Sequence, residues 1–220
     1  MAKARLSYSN NWKPGTATVI VEGCGKYEGQ LSKTFTIVKA PSTISLAAQT
    51  KPYTGSALSY NGNTIRTGST GAVTYRYYRD AACTKEVAKA NVKNVGTYYV
   101  KATLAADDYY AGKTSAAVKF TITKAANPLV VKAAAKTIKR AAVKKKAQSV
   151  VPVTVTKAQG AKTFSAAKWT TAKAKKCFTA SKKSGKVTAK RGTPKGTYKF
   201  KVKVSAKGNA NYKAVRRRLR

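Results

Sequence analysis

Three copies of one short pattern decide the fold: GTATVIV at residues 15–21, GTYYVKA at 96–102 and GTYKFKV at 196–202. Each is a Gly-Thr pair followed by a run in which alternate side chains point to opposite faces if the run is a β-strand. A polar turn containing a tyrosine follows each copy, at Tyr27, Tyr110 and Tyr212. The copies recur at intervals of about 80 to 100 residues, which is the spacing of domain-sized repeats rather than of short solenoid units.

A second motif closes the first two repeats. It reads KTFTIVKA at residues 33–40 and KFTITKA at residues 119–125. Its end marks where one repeat stops and the next begins. The sequence therefore predicts three domains, at residues 1–39, 40–125 and 126–220.

Three stretches alternate between apolar and other side chains. In the last repeat, Tyr198, Phe200, Val202 and Val204 alternate with lysines. Val118, Phe120 and Ile122 alternate with polar residues, and Val151, Val153 and Val155 alternate with Pro152 and threonines. One face of each strand is then apolar and the other polar, which is typical of a strand that packs on a core. Many such short strands between Gly, Asn and Asp turns predict an all-β fold of sandwich repeats.

One stretch leaves two structures open. Residues 131–148, VKAAAKTIKRAAVKKKAQ, are rich in Ala and Lys and favour a helix on propensity alone. Their few large apolar residues form a poor helical stripe. Helix and strand therefore both remain alternatives for this segment.

Composition removes most kinds of catalysis. The chain of 220 residues has no histidine and only six acidic residues, so Ser-His-Asp triads, His-ligated zinc and paired carboxylates have few or no residues to draw on. Three cysteines are too few for a disulfide framework. We therefore expect no enzyme activity, no cofactor and no metal site. No signal peptide, wall anchor or membrane-spanning segment is apparent in the sequence.

The formal charge of +39 is concentrated in the second half. Of the 45 basic residues, 28 follow Lys124, and none of the six acidic residues does. Such a field attracts polyanions without regard to their sequence. The candidate polyanion-binding residues are Lys139, Arg140, Lys144, Lys145, Lys146, Lys173, Lys175, Lys176, Lys199, Lys201, Lys203, Arg216, Arg217 and Arg218.

The segments KPYTGSALSY (51–60), TYRYYRDAACTKE (74–86) and NVGTYYVKATLAADDYY (94–110), with FTITKA, resemble bacterial immunoglobulin-like repeats of large Gram-positive cell-surface proteins. The final segment, from residue 184, is similar to the Lys-rich repeats that often end such arrays. The resemblance implies an immunoglobulin-like β-sandwich per repeat, an extracellular or cell-surface location and a non-enzymatic structural or adhesive role. It further implies neighbouring repeats of a parent array. Near anionic cell-wall polymers or host glycans, the lysine rows of the basic half would then give salt-sensitive adhesion.

The chain departs from this family pattern at both ends. Residues 1–39 correspond to the C-terminal half of a repeat, and the Lys-rich repeat at 126–220 lacks the closing strand that FTITKA provides in the complete repeat at 40–125. We therefore expect a fragment of a longer tandem array, or a gene product of such an array with displaced ends. Because half a sandwich has little core, we expect residues 1–39 to be partly mobile unless they dock on the second repeat.

A nucleic-acid-binding protein inside the cell is the alternative function. The clusters KRAAVKKK (139–146), KAKK (173–176) and RRRLR (216–220) could contact phosphates. No helix-turn-helix, zinc-finger, RRM or KH signature accompanies them, so no sequence-specific nucleic-acid partner is expected.

Overall fold

A computed structural model describes residues 3–219 of the chain. It forms two compact units. The first contains the residues up to Lys51 and Ser56–Ile122, and the second contains Pro52–Gly55 and the residues from Thr123 onward.

The first unit is built from short antiparallel strands. They are β1 (Ala4–Ser9), β2 (Gly15–Gly23), β3 (Gln30–Ile37), β4 (Thr43–Leu46), β5 (Gln49–Pro52), β6 (Thr64–Thr67), β7 (Val73–Tyr78), β8 (Glu86–Val87), β9 (Gly96–Leu104), β10 (Lys113–Thr114) and β11 (Val118–Thr123), with a single 3-10 turn at Lys89–Asn91. Their sheets are ordered β1-β2-β3, β5-β11-β9-β7-β8 with β10 also on β9, and β4-β6.

The core of this unit lies on one face of β9 and β11. Tyr98, Val100, Leu104 and Phe120 are fully buried there, whereas the residues between them carry the polar side chains. Ile44 of β4 packs on Leu104, so the β4-β6 sheet covers this end of the larger sheet. The two layers form the β-sandwich that the alternation predicts.

The Gly-Thr pair that begins each copy of the short pattern has a structural reason. Gly15, Gly96 and Gly196 adopt φ angles of 142°, 155° and 156°, which side chains of L-residues rarely tolerate. Two residues later in the second and third copies, the Tyr98 hydroxyl donates to the Asn94 carbonyl, and Tyr198 donates in the same way four residues upstream. Immunoglobulin-like sandwiches use such a tyrosine corner at the start of this strand.

The second unit contains more strands and two short helices. They are β12 (Val130–Ala133), α1 (Arg140–Lys145), β13 (Gln148–Val150), β14 (Val153–Thr156), β15 (Lys162–Phe164), β16 (Lys168–Trp169), α2 (Ala172–Cys177), β17 (Phe178–Ala180), β18 (Val187–Ala189), β19 (Phe200–Ala206) and β20 (Val215–Leu219). The sheets are β12-β14, β13-β18-β17 and β15-β19-β16 with β20 also on β19. Val153, Phe164, Val202 and Val204 form a core between them.

The all-β prediction is therefore confirmed, with the two six-residue helices added to it. Residues 131–148, for which helix and strand were both open, contain parts of each: β12 and β13 flank α1. Val153 and Val155 lie in β14 as the alternation predicts, while Val151 lies outside it and is exposed.

The last described strand occupies a different position from the closing strand of the complete repeat. Residues 215–219 form β20, which pairs with residues 202–206 of β19. In the first unit β10 pairs with the corresponding end of β9, whereas β11 pairs with residues 96–100 at its start. Strand β20 therefore takes the place of β10. Because no described strand takes the place of β11, residues 196–199 do not extend β19 as 96–99 extend β9.

Each repeat is tied to the linker that precedes it. Ala40 donates to the Tyr109 carbonyl and accepts from Ala111, forming a parallel bridge with the tyrosine turn of its own unit. Ala125 makes the same two bonds, with Asn211 and Lys213. Both alanines belong to the KA pairs at which the sequence predicts the change from one repeat to the next.

Among the described residues, no second sheet packs on the β1-β2-β3 sheet as β4-β6 packs on the larger sheet. Among its apolar side chains Leu6, Tyr8, Leu31 and Phe35 are all exposed. It is the part of the first unit that corresponds to the predicted half-repeat.

Candidate polyanion-binding surface

Strand β19 carries the central basic row. Lys201 and Lys203 alternate with the buried Val202 and Val204, as the sequence predicts, because the inward residues pack on Val153 and its neighbours. The lysines therefore point away from the core on the opposite face of the sheet. We refer to this outward side of β16, β19 and β20 as the basic face.

Cations lie directly opposite one another across the basic face. Lys203 is paired in register with Arg218 of β20, and Lys201 with Lys168 of β16. Directly opposed side chains in antiparallel strands have Cβ atoms about 5 Å apart, and like charges at that distance destabilise the pairing. No acidic residue follows Asp108 in the sequence, so no side-chain carboxylate of the second unit can neutralise them. An external anion would relieve this repulsion.

Two serines fix the middle of the basic face. The Lys203 backbone N–H donates to the Ser165 hydroxyl oxygen at 3.0 Å, and the Arg216 Nε donates to the Ser205 hydroxyl oxygen at 3.4 Å. Arg216 lies opposite Ser205 in the register. The Lys203 backbone and the Arg216 guanidinium are thus held, while the Lys201 side chain is exposed and that of Lys203 is half-buried.

Helix α2 brings a second group of lysines next to this face. The Thr171 hydroxyl caps α2 by accepting from the Ala174 N–H, and Thr170 donates to the Lys199 carbonyl, which anchors the helix start beside β19. Three exposed candidates lie on α2, namely Lys173, Lys175 and Lys176.

A shallow depression separates α2 from β16. It has a volume of about 400 Å³, and its lining includes Lys168, Lys175 and Trp169. The Trp169 ring stacks on Phe178 with centroids 5.2 Å apart and contacts Phe200 at 5.0 Å. The depression is therefore lined by two lysines and by an aromatic ring that packs against two others.

Helix α1 holds a third group at a different sheet. Val143 is its buried residue, while Arg140 and Lys144 are exposed one turn apart. Arg191 donates from Nε to the Lys144 carbonyl at 3.2 Å and adds another cation to this group. The remaining candidates here are Lys139, Lys145 and Lys146, all exposed.

The candidate residues thus fall into three groups rather than one. Lys201, Lys203, Arg216 and Arg218 share the basic face, and Lys199 precedes β19 at its edge. Arg217 differs, because its register partner is the buried Val204 and it lies on the opposite side of β20. The last residue of the RRRLR cluster, Arg220, lies outside the described residues.

Lys168 and Arg191 were missed by the sequence reasoning. Lys168 has no basic neighbour in the sequence, and Arg191 has only Lys190 beside it. Lys168 precedes a tryptophan in a two-residue strand, and only its register with Lys201 places it on the basic face. The alternating positions of β19 could have flagged a neighbour of this kind but not its identity.

Carboxylates of the first unit are used within the protein. Asp107 accepts from the Thr70, Tyr109 and Tyr110 N–H groups and from the Thr70 hydroxyl. The Thr70 N–H, with those of Tyr110 and Tyr109, lowers the pKa of Asp107 to about 2. Glu86 forms a 3.3 Å ion pair with Arg76. These anions hold turns and strands of the first unit in place.

Two kinds of feature are absent from residues 3–219. No three His, Cys, Asp or Glu side chains come together there as metal ligands would. None of the helices in that range has the length and apolar character needed to cross a membrane.

Comparison with known proteins gives no family. No protein-family model and no curated protein matches the sequence. Among solved structures, the chain is similar to Drosophila N-cadherin EC1-4, with 10% identity over 96% of this chain and 58% of that one and a TM-score of 0.29. It is also similar to a SusE-like surface located polysaccharide binding protein from Bacteroides thetaiotaomicron, with 11% identity over 99% and 54% of the two chains and a TM-score of 0.25.

The chain spans a little over half the length of these two solved structures. Likeness at such TM-scores assigns neither a family nor a function. The residues that bear on function are therefore those of the second unit described above.

Proposed function

We propose that this chain is a non-enzymatic structural and adhesive module of a bacterial surface protein that binds anionic polymers through its basic face. The observation that carries the proposal is the pairing of Lys203 with Arg218 and of Lys201 with Lys168, in a unit without acidic side chains. Without an anionic ligand, the repulsion between these opposed cations only destabilises the strand pairing. An anionic cell-wall polymer or host glycan would convert it into attraction.

Binding of this kind is salt-sensitive and indifferent to monomer sequence. Each neutralised phosphate, sulfate or carboxylate releases bound counterions, so affinity falls as salt rises. The preference for Lys over Arg on β19 fits this mode, since lysine acts as a point charge and arginine as a bidentate reader. The depression beside Trp169 adds a place for one sugar ring.

The proposal includes the location and context of the chain. The three Gly-Thr copies with their tyrosine turns and the linker bridges at Ala40 and Ala125 support a tandem array. We assign residues 1–39, 40–125 and 126–220 to successive repeats of it. Display outside the cell would bring the basic face to the wall polymers or glycans.

The test is retention on an immobilised poly(glycerol phosphate), with a neutral polysaccharide as the blank, over a range of salt concentrations. We expect retention on the anionic polymer alone, and a steep loss with salt. A triple variant of the basic face, K201Q/K203Q/R218Q, should lower the slope of log affinity against log salt by about 2, since about three phosphate contacts are lost.

The matched control removes three charges of the same unit elsewhere. Lys132, Lys136 and Lys182 are exposed and lie outside the basic face, so K132Q/K136Q/K182Q should keep most of the slope. Equal losses in both variants would show that net charge alone acts and would reject the basic face. Retention that does not weaken with salt would reject the mechanism. A marked preference for one nucleic-acid sequence or RNA structure at physiological salt would favour the intracellular alternative instead.

A further inference from the structure

The depression between α2 and β16 combines one aromatic ring with two hydroxyl groups and two lysines. Trp169 is half-buried and forms part of its wall, and the exposed Thr170 and Thr171 lie beside it. Lys168 of β16 and Lys175 of α2 add the charged groups. Its volume of about 400 Å³ lies within the range of about 300 to 1,000 Å³ that small-ligand sites have. The depression therefore has room for one sugar residue, with polar groups around an apolar wall.

The aromatic wall is held in place by its neighbours. The Trp169 ring stacks on Phe178 at an interplanar angle of 29° and contacts Phe200 at an angle of 44°. Phe178 in turn contacts Tyr198, with ring centroids 4.7 Å apart. Because this packing restricts the indole to one orientation before a ligand arrives, little side-chain entropy is lost on binding.

The two threonine hydroxyls are fixed by the backbone and retain bonding capacity. Thr170 Oγ1 donates to the Lys199 carbonyl at 3.1 Å, and Thr171 Oγ1 accepts from the Ala174 N–H at 3.1 Å. A hydroxyl has one donor hydrogen and two acceptor lone pairs. Thr170 can therefore accept a further hydrogen bond, and Thr171 can donate one. The hydroxyl groups of a sugar need both kinds of partner, whereas an ionised phosphate diester only accepts.

We propose, on the basis of the function proposed above, that the depression binds one ring of an acidic polysaccharide. The anionic polymer of the basic face is then a glycan with acid groups on its sugars, rather than a polyol phosphate without rings. The C–H groups on one side of a sugar ring carry a partial positive charge from the adjacent oxygens, and they contact the electron-rich indole of Trp169. Lys168 and Lys175 pair with the acid groups. Because Lys168 lies opposite Lys201, the polymer continues from the depression onto the basic face.

A single-stranded nucleic acid also combines rings with anions, but the geometry favours a sugar. A base stacks face to face over an open aromatic side chain. Phe178 already stacks on Trp169, and Phe200 lies against it with centroids 5.0 Å apart. A sugar ring needs only a patch of the indole, together with hydrogen-bond partners at its rim, and the two threonines supply these.

The experiment follows Trp169 fluorescence in the full chain carrying Trp12→Phe, in which Trp169 is the sole tryptophan. Trp12 is 67% exposed, so its replacement should leave the fold unchanged. The probes are a short oligogalacturonate, an oligo(glycerol phosphate) and an oligo(dT) of equal charge, and a neutral galactose oligomer. We expect a saturable change in emission with oligogalacturonate. Its dissociation constant should be at least about fivefold lower than those of the other three probes.

A pair of variants on α2 separates the depression from general charge. Lys175→Gln should weaken oligogalacturonate binding at least about threefold, because it removes one ammonium group from the depression. Lys176→Gln is the matched control, since Lys176 is exposed in the same turn of α2 but is not among the described residues that line the depression. It should change that binding by less than about twofold. Both variants should lose the same fraction of affinity for oligo(glycerol phosphate).

Trp169→Phe tests the aromatic wall in the otherwise unchanged chain. A phenyl ring can still pack on Phe178 and Phe200, but it presents a smaller surface than indole. Retention is measured on immobilised polygalacturonate and on immobilised poly(glycerol phosphate). The ratio of the two affinities should fall at least about threefold. Misfolding would lower both retentions together and leave their ratio unchanged.

Several results would overturn the proposal while leaving the basic face intact. They are equal affinities for oligogalacturonate and oligo(glycerol phosphate), equal losses in Lys175→Gln and Lys176→Gln, and an unchanged ratio in Trp169→Phe. Tighter binding of oligo(dT) than of oligogalacturonate would overturn it in favour of a nucleic-acid base. Failure of the proposed function has a different signature, namely no salt-sensitive retention on any anionic polymer.

Discussion

The β1-β2-β3 sheet and the β7-β9-β11 sheet have the same register and opposite surroundings. Phe35 lies opposite Ala17 as Phe120 lies opposite Tyr98, and Tyr8 lies opposite Val19 as Tyr77 lies opposite Val100. Phe120 is fully buried, whereas Phe35 is 40% exposed.

Strand register in this chain is therefore independent of whether the aligned side chains are buried. Three strands align their side chains through backbone bonds and turns, whether or not a second layer is present. The second layer converts the alignment into a core. Side-chain substitutions at equivalent positions should therefore have unequal effects.

The largest difference is expected for the two phenylalanines. Phe120→Ala should lower the free energy of unfolding of the first unit by about 3 to 5 kcal/mol, because it leaves a cavity in a packed core. Phe35→Ala should lower it by about 1 kcal/mol, since much of the ring already contacts water. Urea titration of each variant measures both values. Equal losses would break the comparison and show that Phe35 belongs to the same core.

Hydrogen exchange tests the comparison without a substitution. The amides of β2 should be at least about 100-fold less protected than those of β9, because opening an uncovered sheet exposes little new apolar surface. Comparable protection of the two strands would contradict the expected mobility of residues 1–39.

The tyrosine pair Tyr77 and Tyr8 should differ by less. The Tyr77 hydroxyl accepts a buried hydrogen bond from the Tyr60 N–H at 2.8 Å, and burial raises the pKa of Tyr77. Tyr77→Phe should cost about 1 to 3 kcal/mol, because the Tyr60 N–H loses its acceptor away from water. Tyr8→Phe should change stability by a few tenths of a kcal/mol, as Tyr8 is half exposed. Thermal unfolding of both variants compares them, and a Tyr77→Phe protein as stable as the wild type would show that water replaces the acceptor.

The smallest effect concerns the turns that follow the two sheets. Asp107 stands three residues before the turn tyrosine Tyr110, which follows β9. Cys24 stands at the same distance before Tyr27, which follows β2. Because the folded pKa of Asp107 is lowered to about 2 from a usual 3.8, its stabilising effect is complete above pH 4 and is lost as pH falls towards 2.

Exchange protection of the Tyr109 and Tyr110 amides should therefore fall over that range, corrected for intrinsic exchange, while that of Tyr27 should not follow it. Asp107→Asn should abolish the pH dependence. An unchanged profile in Asp107→Asn would assign the effect to another group.

Much of the fold can be predicted from the sequence because the same motifs recur in several repeats. The Gly-Thr copies locate β2, β9 and the region of β19, and the spacing of Phe35 and Phe120 locates β3 and β11. Alternation in β19 predicts which side its lysines take. These features depend on neighbours along the chain or on a motif that recurs.

The candidate surface could be predicted less completely. Lys201 lies opposite Lys168 because of the register of a two-residue strand. Lys203 lies opposite Arg218 because the residues after the last turn form a strand. Neither Lys168 nor the run at 216–218 shows in sequence which strand it will meet. Arg217 was assigned with its neighbours, although alternation alone would have placed it on the other side of β20.

The parallel bridges at Ala40 and Ala125 have a mechanical consequence. Each linker runs beside the tyrosine turn in the same direction, held by one hydrogen bond on either side of the alanine. Tension on the two ends of a repeat would pull these segments past each other and stretch both bonds together, rather than peel them apart in succession. A string of such repeats would resist extension at every junction.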